Sequence, residues 1–403
     1  MKTNIIVICK QKLISVDSIL PVLLELKDKN STADFFVVLP DNKTTESVKK
    51  NYHILEALSG IGADILEQSR SGRITLLFWT FKFFCRLAFR RNIIFPAGDC
   101  LYKHRMFMRL LKKVSSTVEI RFSLLAPVRD FIENLKIQRQ YIEELAADAG
   151  KSAPPGGSKQ DKADYDYFLS SVSYEDVSVF TPEPVSSEKM IKAGYVRALP
   201  AWLRFVESAS SQWMELTRHG KYCLFILSTF GKRVSFYNEP DVGESFKETL
   251  DVLKRFSERL HVVFKPHAIT DMKQFETYIE DAGFKNYSVD YGHPMVLAAN
   301  AEFVIGNTFS NTMFDAFYLN RPVIEYTSYD KELFSRIGNC SIGGRCCGKL
   351  IERDQSLLEK TLENILDGKS DFTFSTSFLN ENFPPPDREF TDFFEKLLIY
   401  GHV

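Results

Sequence analysis

Short apolar runs alternate with amphipathic stretches along the chain. In the amino half, Asn4–Cys9, Asp34–Leu39, Asp64–Leu66 and Asn92–Pro96 read as buried strands. Val16–Leu26, Thr44–Leu58 and Ile74–Phe89 read as the helices between them. Continuously apolar strands separated by helices predict a parallel sheet covered on both faces, because each crossover helix buries its own apolar stripe against the sheet. A charged helix is expected over Pro127–Leu145. After it, Ala146–Tyr165 is rich in Gly, Pro, Ser, Lys and Asp and reads as a flexible insertion. Val177–Phe180 and a helix over Ser186–Ala193 rejoin the first domain.

A second series begins near Gly220. Strands are expected at Tyr222–Leu227, His261–Lys265, Tyr287–Val289, Ala301–Gly306 and Pro322–Tyr326. The helices between and after them are Gly243–Arg259, Asp271–Ala282, Pro294–Ala299, Ser310–Leu319 and Ser356–Leu366. A last helix, Phe390–Tyr400, follows the breaker Pro384–Pro386. The expected fold is α/β, two Rossmann-like domains facing a cleft, with domains over 1–200 and 219–370 and a tail helix in 371–403. No G-x-G-x-x-G follows the first strand, which argues against the usual Rossmann mode of dinucleotide binding.

Charge sharpens this picture locally. The 403 residues carry 51 Lys and Arg against 52 Asp and Glu, a balance that excludes a uniformly basic nucleic-acid binder. Between Ser71 and Ile120, however, ten basic residues face two acidic ones, and large aromatics are interleaved with them. Basic residues beside Phe and Trp suit an anionic membrane surface, so residues 73–113 are the expected lipid-facing region; the alternative is a core helix with a solvated cationic rim. No apolar run reaches the length of a membrane span and no signal-peptide pattern opens the chain. The seven cysteines form no C-x-x-C pair and read as reduced thiols of a cytoplasmic protein. The single D-x-D, Asp164–Asp166, does not follow a predicted strand and is not read as a metal site.

Candidate chemistry gathers at predicted strand ends. The strand Ala301–Gly306 runs into a turn rich in Ser, Thr and Asn, Asn307–Asn311, that opens a helix. A helix start beyond the carboxyl end of a parallel strand presents backbone N–H groups and partial positive charge to a phosphate, although Ser, Thr and Asn also cap helices with no ligand present. Lys265 and His267 follow the strand His261–Lys265 in the sequence FKPHA, two cations or a simple strand-end turn. His293, in YGHP, precedes a short helix, and Glu325 stands near the end of a strand. In the amino half, FPAGDCLYKHR (95–105) follows a strand and offers Asp99 and His104 as bases for an acceptor hydroxyl.

K-P-H, an apolar strand, S-N-T-M-F-D-A and then R-P-V-I-E-Y resemble the CDP-glycerol glycerophosphotransferase and capsule-glycosyltransferase group, which has the GT-B fold. The likeness covers His261–Tyr326. It departs at Ala268, where the group has proline, and in lacking a W-G-x-T segment after Pro322. The resemblance implies that Lys265 and His267 contact the donor phosphate; His267 is also a catalytic candidate, and His293, from its place before a short helix, a further donor-binding one. It implies that Thr308, Ser310 and Asn311 hold its phosphates and that Asp315 orients the helix start or the ribose; Phe309 in the same turn and Glu325, at a strand end where it either bonds a ribose or is solvated, are further donor-binding candidates.

The function expected on these grounds is transfer of a sugar from a nucleotide-activated donor, CMP- or CDP-linked, to a growing capsule, O-antigen or lipooligosaccharide glycan. The partners are a nucleotide-sugar donor and a lipid-linked glycan acceptor at the inner face of the plasma membrane, with no nucleic acid. No cofactor or metal is called for, since cations and a helix terminus suffice to stabilise a leaving phosphate. The alternatives are a polyol-phosphate transferase, a non-hydrolysing sugar-nucleotide epimerase and a non-catalytic glycan-binding assembly partner.

Overall fold

The computed structural model of the protein describes residues 3–9, 14–29, 32–67, 81–96, 109–123, 126–148, 165–180, 185–228, 230, 242–267, 270–370, 372 and 374–400. The chain divides into two units. Unit 1 is Met1–Pro127, Gly157–Phe205 and Pro384–Val403; unit 2 is Val128–Gly156 and Val206–Phe383.

Unit 1 begins β1 (Thr3–Ile8), α1 (Ile14–Lys29), β2 (Asp34–Leu39), α2 (Asn42–Lys50), α3 (Tyr52–Gly60) and β3 (Asp64–Glu67). It continues with α4 (81–87), β4 (Arg91–Pro96), α5 (109–114) and β5 (Ser116–Phe122). After α6 (Arg129–Asp148), which belongs to unit 2, come β6 (Tyr167–Ser170), α7 (Tyr174–Phe180), β7 (Met190–Lys192) and α8 (Pro200–Thr217), which enters unit 2 at Val206. The seven strands lie in the order β3-β2-β1-β4-β5-β6-β7, every pair parallel.

Two readings change here. The single helix expected over Thr44–Leu58 is two, because the Asn51 side chain accepts the Ile54 amide at 3.3 Å and starts a new helix. The segment 186–193 is a short 3₁₀ turn followed by edge strand β7, not a helix.

Unit 2 continues with β8 (Tyr222–Ile226), α9 (Val242–Lys254), β9 (His261–Lys265), α10 (Met272–Ala282), β10 (Tyr287–Val289), α11 (Pro294–Ala298) and β11 (Phe303–Gly306). Then come α12 (Asn311–Tyr318), β12 (Val323–Tyr326), α13 (Lys331–Arg336), β13 (Lys349–Ile351), α14 (Gln355–Leu366) and α15 (Thr376–Asn382); α16 (Arg388–Tyr400) belongs to unit 1. The sheet order β10-β9-β8-β11-β12-β13 is again wholly parallel. Both units are therefore Rossmann-like, as the alternation of elements predicts. One sheet face of unit 2 buries Phe225, Phe264 and Ile305 against Phe246, Leu250 and Phe275 of α9 and α10. The strand residues between them in sequence point to the other face.

Candidate functional site

In a sheet of this order the connections diverge between β8 and β11, and the crevice beyond their carboxyl ends is where such folds bind ligands. Register places Lys265 of β9 opposite Ile226 of β8, and Ile226 opposite Gly306 of β11. Lys265 and the start of the Asn307–Ser310 turn thus stand level, two strand spacings or about 10 Å apart. Gly306 is small for a reason: a Cβ there would lie 2.7 Å from Met313 Cε of α12 and 3.3 Å from the Ile226 carbonyl. Its absence lets α12 start directly over the strand end.

The turn is held from below. Asn307 is buried and donates through Nδ2 to Thr249 Oγ1 (3.0 Å) on α9 and to the Tyr326 carbonyl (3.1 Å) on β12. Ser310 caps α12, its hydroxyl 3.4 Å from the Thr312 amide. Capping is thus present, through one long bond. Thr308, Phe309 and Ser310 are half-buried and Asn311 is exposed. On the β9 side, the His267 amide donates to Thr270 Oγ1 (2.9 Å), and that hydroxyl donates to the Ser228 carbonyl (3.0 Å) beyond β8. Lys265 is half-buried, with Nζ 3.3 Å from the Pro266 carbonyl, and His267 is exposed. Asn307 and Thr270 thus hold the two turns in place; Asn307 belongs to the turn the sequence marks, whereas nothing in the sequence marks Thr270.

Three expected donor contacts lie elsewhere. His293 is fully buried and caps α11, its Nδ1 accepting the Met295 amide at 3.1 Å, so it presents no cation at a rim. Asp315 is buried on the core side of α12. Glu325 is fully buried and bonded within the protein: Tyr329 Oη donates to Oε1 at 2.7 Å, Ser341 Oγ to Oε2 at 2.6 Å, and the Cys347 thiol lies 3.3 Å from Oε2. Burial, and next the Glu325 charge, push the Cys347 thiol well above its usual range, so it stays protonated. Asp99 and His104 lie outside the described residues.

Glu325 still bears on the turn indirectly. Ser341 Oγ accepts the Gly343 amide at 3.0 Å and Tyr329 Oη the Ile342 amide at 3.2 Å, so the carboxylate shapes the loop 341–343. Gly343 lies flat against the Phe309 ring, and any Cβ there would overlap it. From α6, Phe131 packs on Phe309 and Phe314 at centroid distances of 5.2 and 5.1 Å. Asn134 Nδ2 donates to the carbonyls of Ser341 (3.1 Å) and Ile342 (3.2 Å). Phe309 is therefore a packing anchor of the turn.

At the opposite end of this sheet His219 stacks on His261 at 4.0 Å. His261 meets Asn286 Oδ1 and Ser288 Oγ, each at 2.9 Å. Burial first, then the proximity of His261, lower the His219 pKa, against the pull of Asp290. Below its ordinary pKa the unfolded chain takes up the proton more readily than the folded one, so stability falls as the solution is acidified. Melting temperature is expected to drop from about pH 7.5 to about pH 5.5, and His219→Gln to make that drop smaller. An unchanged pH profile in the variant would remove His219 as its source.

No protein-family model matches the chain, and no curated protein does. Solved structures match over nearly its whole length. A histidine-to-alanine variant of the wall teichoic acid polymerase TagF is 12% identical with a TM-score of 0.55, covering 98% of this chain and 88% of that one. A putative UDP-N-acetylglucosamine 2-epimerase from Listeria monocytogenes is 11% identical with a TM-score of 0.52, covering 99% and 96%. The UDP-GlcNAc 2-epimerase of Methanocaldococcus jannaschii, in complex with UDP-GlcNAc and UDP, is 15% identical with a TM-score of 0.50, covering 100% of both chains. At these identities the likeness is one of fold, two Rossmann-like α/β domains of the GT-B type.

Proposed function

We propose that this chain is a nucleotide-sugar-dependent glycosyltransferase that extends a surface glycan. The observation that carries the reading is the level placement of Lys265 and the Ser310-capped start of α12 on either side of β8. A cation on one side and a helix N-terminus on the other suit a diphosphate lying across the strand ends. Lys265 and His267 would bind the donor phosphates, and Thr308, Ser310 and Asn311 would bond the same oxygens. As the bond from the anomeric carbon to the phosphate oxygen breaks, these groups stabilise the charge gathering on the departing nucleotide. The acceptor oxygen bonds to that carbon as its proton passes to a base, for which Asp99 and His104 are the candidates in the amino half. The acceptor is a lipid-linked capsule, O-antigen or lipooligosaccharide chain, which keeps the enzyme at the inner face of the plasma membrane.

The test is a thermal-shift screen of CMP-, CDP-, UDP- and GDP-linked donors, followed by turnover with the best of them. UDP-linked donors are included because a structure of the same fold is in complex with UDP-GlcNAc. One donor class is expected to raise the melting temperature and to release free nucleotide only when an acceptor glycan is present. Isomerised donor formed without acceptor would make the chain an epimerase. Nucleoside monophosphate release with phosphate left on the product would make it a polyol-phosphate transferase. If no donor or nucleotide binds, the reading fails.

A further inference from the structure

Helices α4 and α5 of unit 1 lie on one face of its sheet. Phe83 and Leu87 of α4 and Leu111 of α5 are buried in one cluster with Ile6, Ile8, Phe36, Val38 and Ile94. The Phe89 amide, just past α4, donates to the Val114 carbonyl at 3.2 Å and ties the two segments together. With those side chains turned inward, the outer surface carries Phe81 (65% exposed), Phe89 (80%) and Leu110 (48%). Lys82, Arg86, Arg109 and Lys113 are exposed on the same two segments.

Two features set this face apart from an ordinary solvated one. Arg86 pairs with Asp64 at 2.6 Å, but Lys82, Arg109 and Lys113 have no ion pair among the described residues. Phe89 has φ +62°, a left-handed conformation unfavourable for a bulky residue, yet its ring is mostly in water. Neither local backbone preference nor core packing accounts for a phenylalanine there.

We infer that this face docks on an anionic lipid bilayer, with Phe81, Phe89 and Leu110 entering the boundary between headgroups and acyl chains. Lys82, Arg109 and Lys113 then meet the lipid phosphates. A bilayer accepts separate apolar side chains and spread cations without a complementary groove. Three apolar side chains are too few to centre a stable protein interface, and nucleic acid would use the cations without sheltering the apolar groups. No helix among the described residues is long and apolar enough to cross a membrane, so contact is with the surface. Residues 73–80 and 97–108 of the region expected from sequence lie outside the described residues. The face shares no residue with the nucleotide site and stands whichever nucleotide reaction is found.

The full chain is tested by co-sedimentation with vesicles of phosphatidylglycerol and phosphatidylcholine, and with vesicles of phosphatidylcholine alone. Binding is expected only to the anionic vesicles, and to weaken with salt. Phe81→Ser with Phe89→Ser is expected to weaken it at least about tenfold. Lys82→Glu with Arg109→Glu and Lys113→Glu is expected to weaken it at least about a hundredfold, about fivefold for each lost cation before the effect of its reversal. All five positions are exposed, so circular dichroism and melting should match the parent chain. Equal binding to neutral vesicles, no binding to anionic ones, or full binding by both folded variants would overturn the inference. Binding to single-stranded DNA that depends on the three cations but not on the two phenylalanines would assign the face to nucleic acid instead.

Discussion

Replacing Glu325 with alanine is expected to destabilise unit 2 by about 3–5 kcal/mol, among the largest losses available to one substitution. The change leaves the hydroxyls of Tyr329 and Ser341 buried without their acceptor and opens a cavity on β12. An unmet buried hydroxyl costs about 1–3 kcal/mol, and the cavity adds to this. Glu325→Gln keeps the shape and one acceptor oxygen, so a loss of about 1–2 kcal/mol is expected. Hydrogen exchange read on peptides spanning 338–348 would report the change where the loop is held.

Donor affinity should fall with the same substitution, because the loop 341–343 supports the Phe309 ring and through it the turn before α12. A direct ribose contact predicts something different. In that case the parent chain would prefer ribonucleotides to deoxyribonucleotides and Glu325→Gln would erase the preference. With Glu325 buried and bonded within the protein, the ratio is expected to stay the same in both.

Lys265→Ala and His267→Ala are each expected to lower kcat/KM for the donor about 10- to 150-fold, the worth of one charge-assisted hydrogen bond to phosphate. Neither should disturb the fold. His267 is exposed, and Lys265 is half-buried at the last position of its strand. If the groups bind phosphate mainly as the charge develops, kcat falls; if they bind the donor equally before and after, KM rises. Parent-like kinetics in both variants, with unchanged nucleotide binding, would move the site away from the β9 end.

How far the sequence could be read differed between the units. In unit 2, Tyr287–Val289 matches its expected bounds end for end, and Ser310–Leu319 and Ser356–Leu366 match within a residue. There the apolar runs are continuous and Gly, Pro, Ser or Asp mark the breaks. In unit 1, the hydrophobic pattern does not predict β5. Its buried inward positions include Glu119 and Arg121, paired at 3.1 Å, so a central strand looks polar along the chain. A buried ion pair removes the hydrophobic periodicity that reveals strands.

Helix α6 was legible as a charged helix because its outward face carries pairs at four-residue spacing, such as Arg139–Glu143 at 3.0 Å. That it packs in unit 2 was not legible. Its attachments are Asp130 with Arg345 at 2.9 Å, Asn134 with the loop carbonyls, and Tyr141 with Asp330 at 2.8 Å, all about 200 positions apart in the chain. Burial, then the bond to Asp330, raises the Tyr141 phenol to about 12.

The fold class and the residue types that stand at the strand ends are legible in the sequence, because periodicity and turn residues act over a few neighbours. Only the tertiary structure decided which candidates face solvent. Lys265, His267, Thr308, Ser310 and Asn311 reach the sheet's carboxyl edge, whereas His293, Asp315 and Glu325 turn inward. The reason is packing between elements distant in the chain. His293 caps α11 and Asp315 lies on the core side of α12, while Glu325, level with Gly306 on its face of the sheet, is covered by the segment that carries Ser341 and Cys347. A polar residue one position from a strand end carries the same letter whether that face is covered or open.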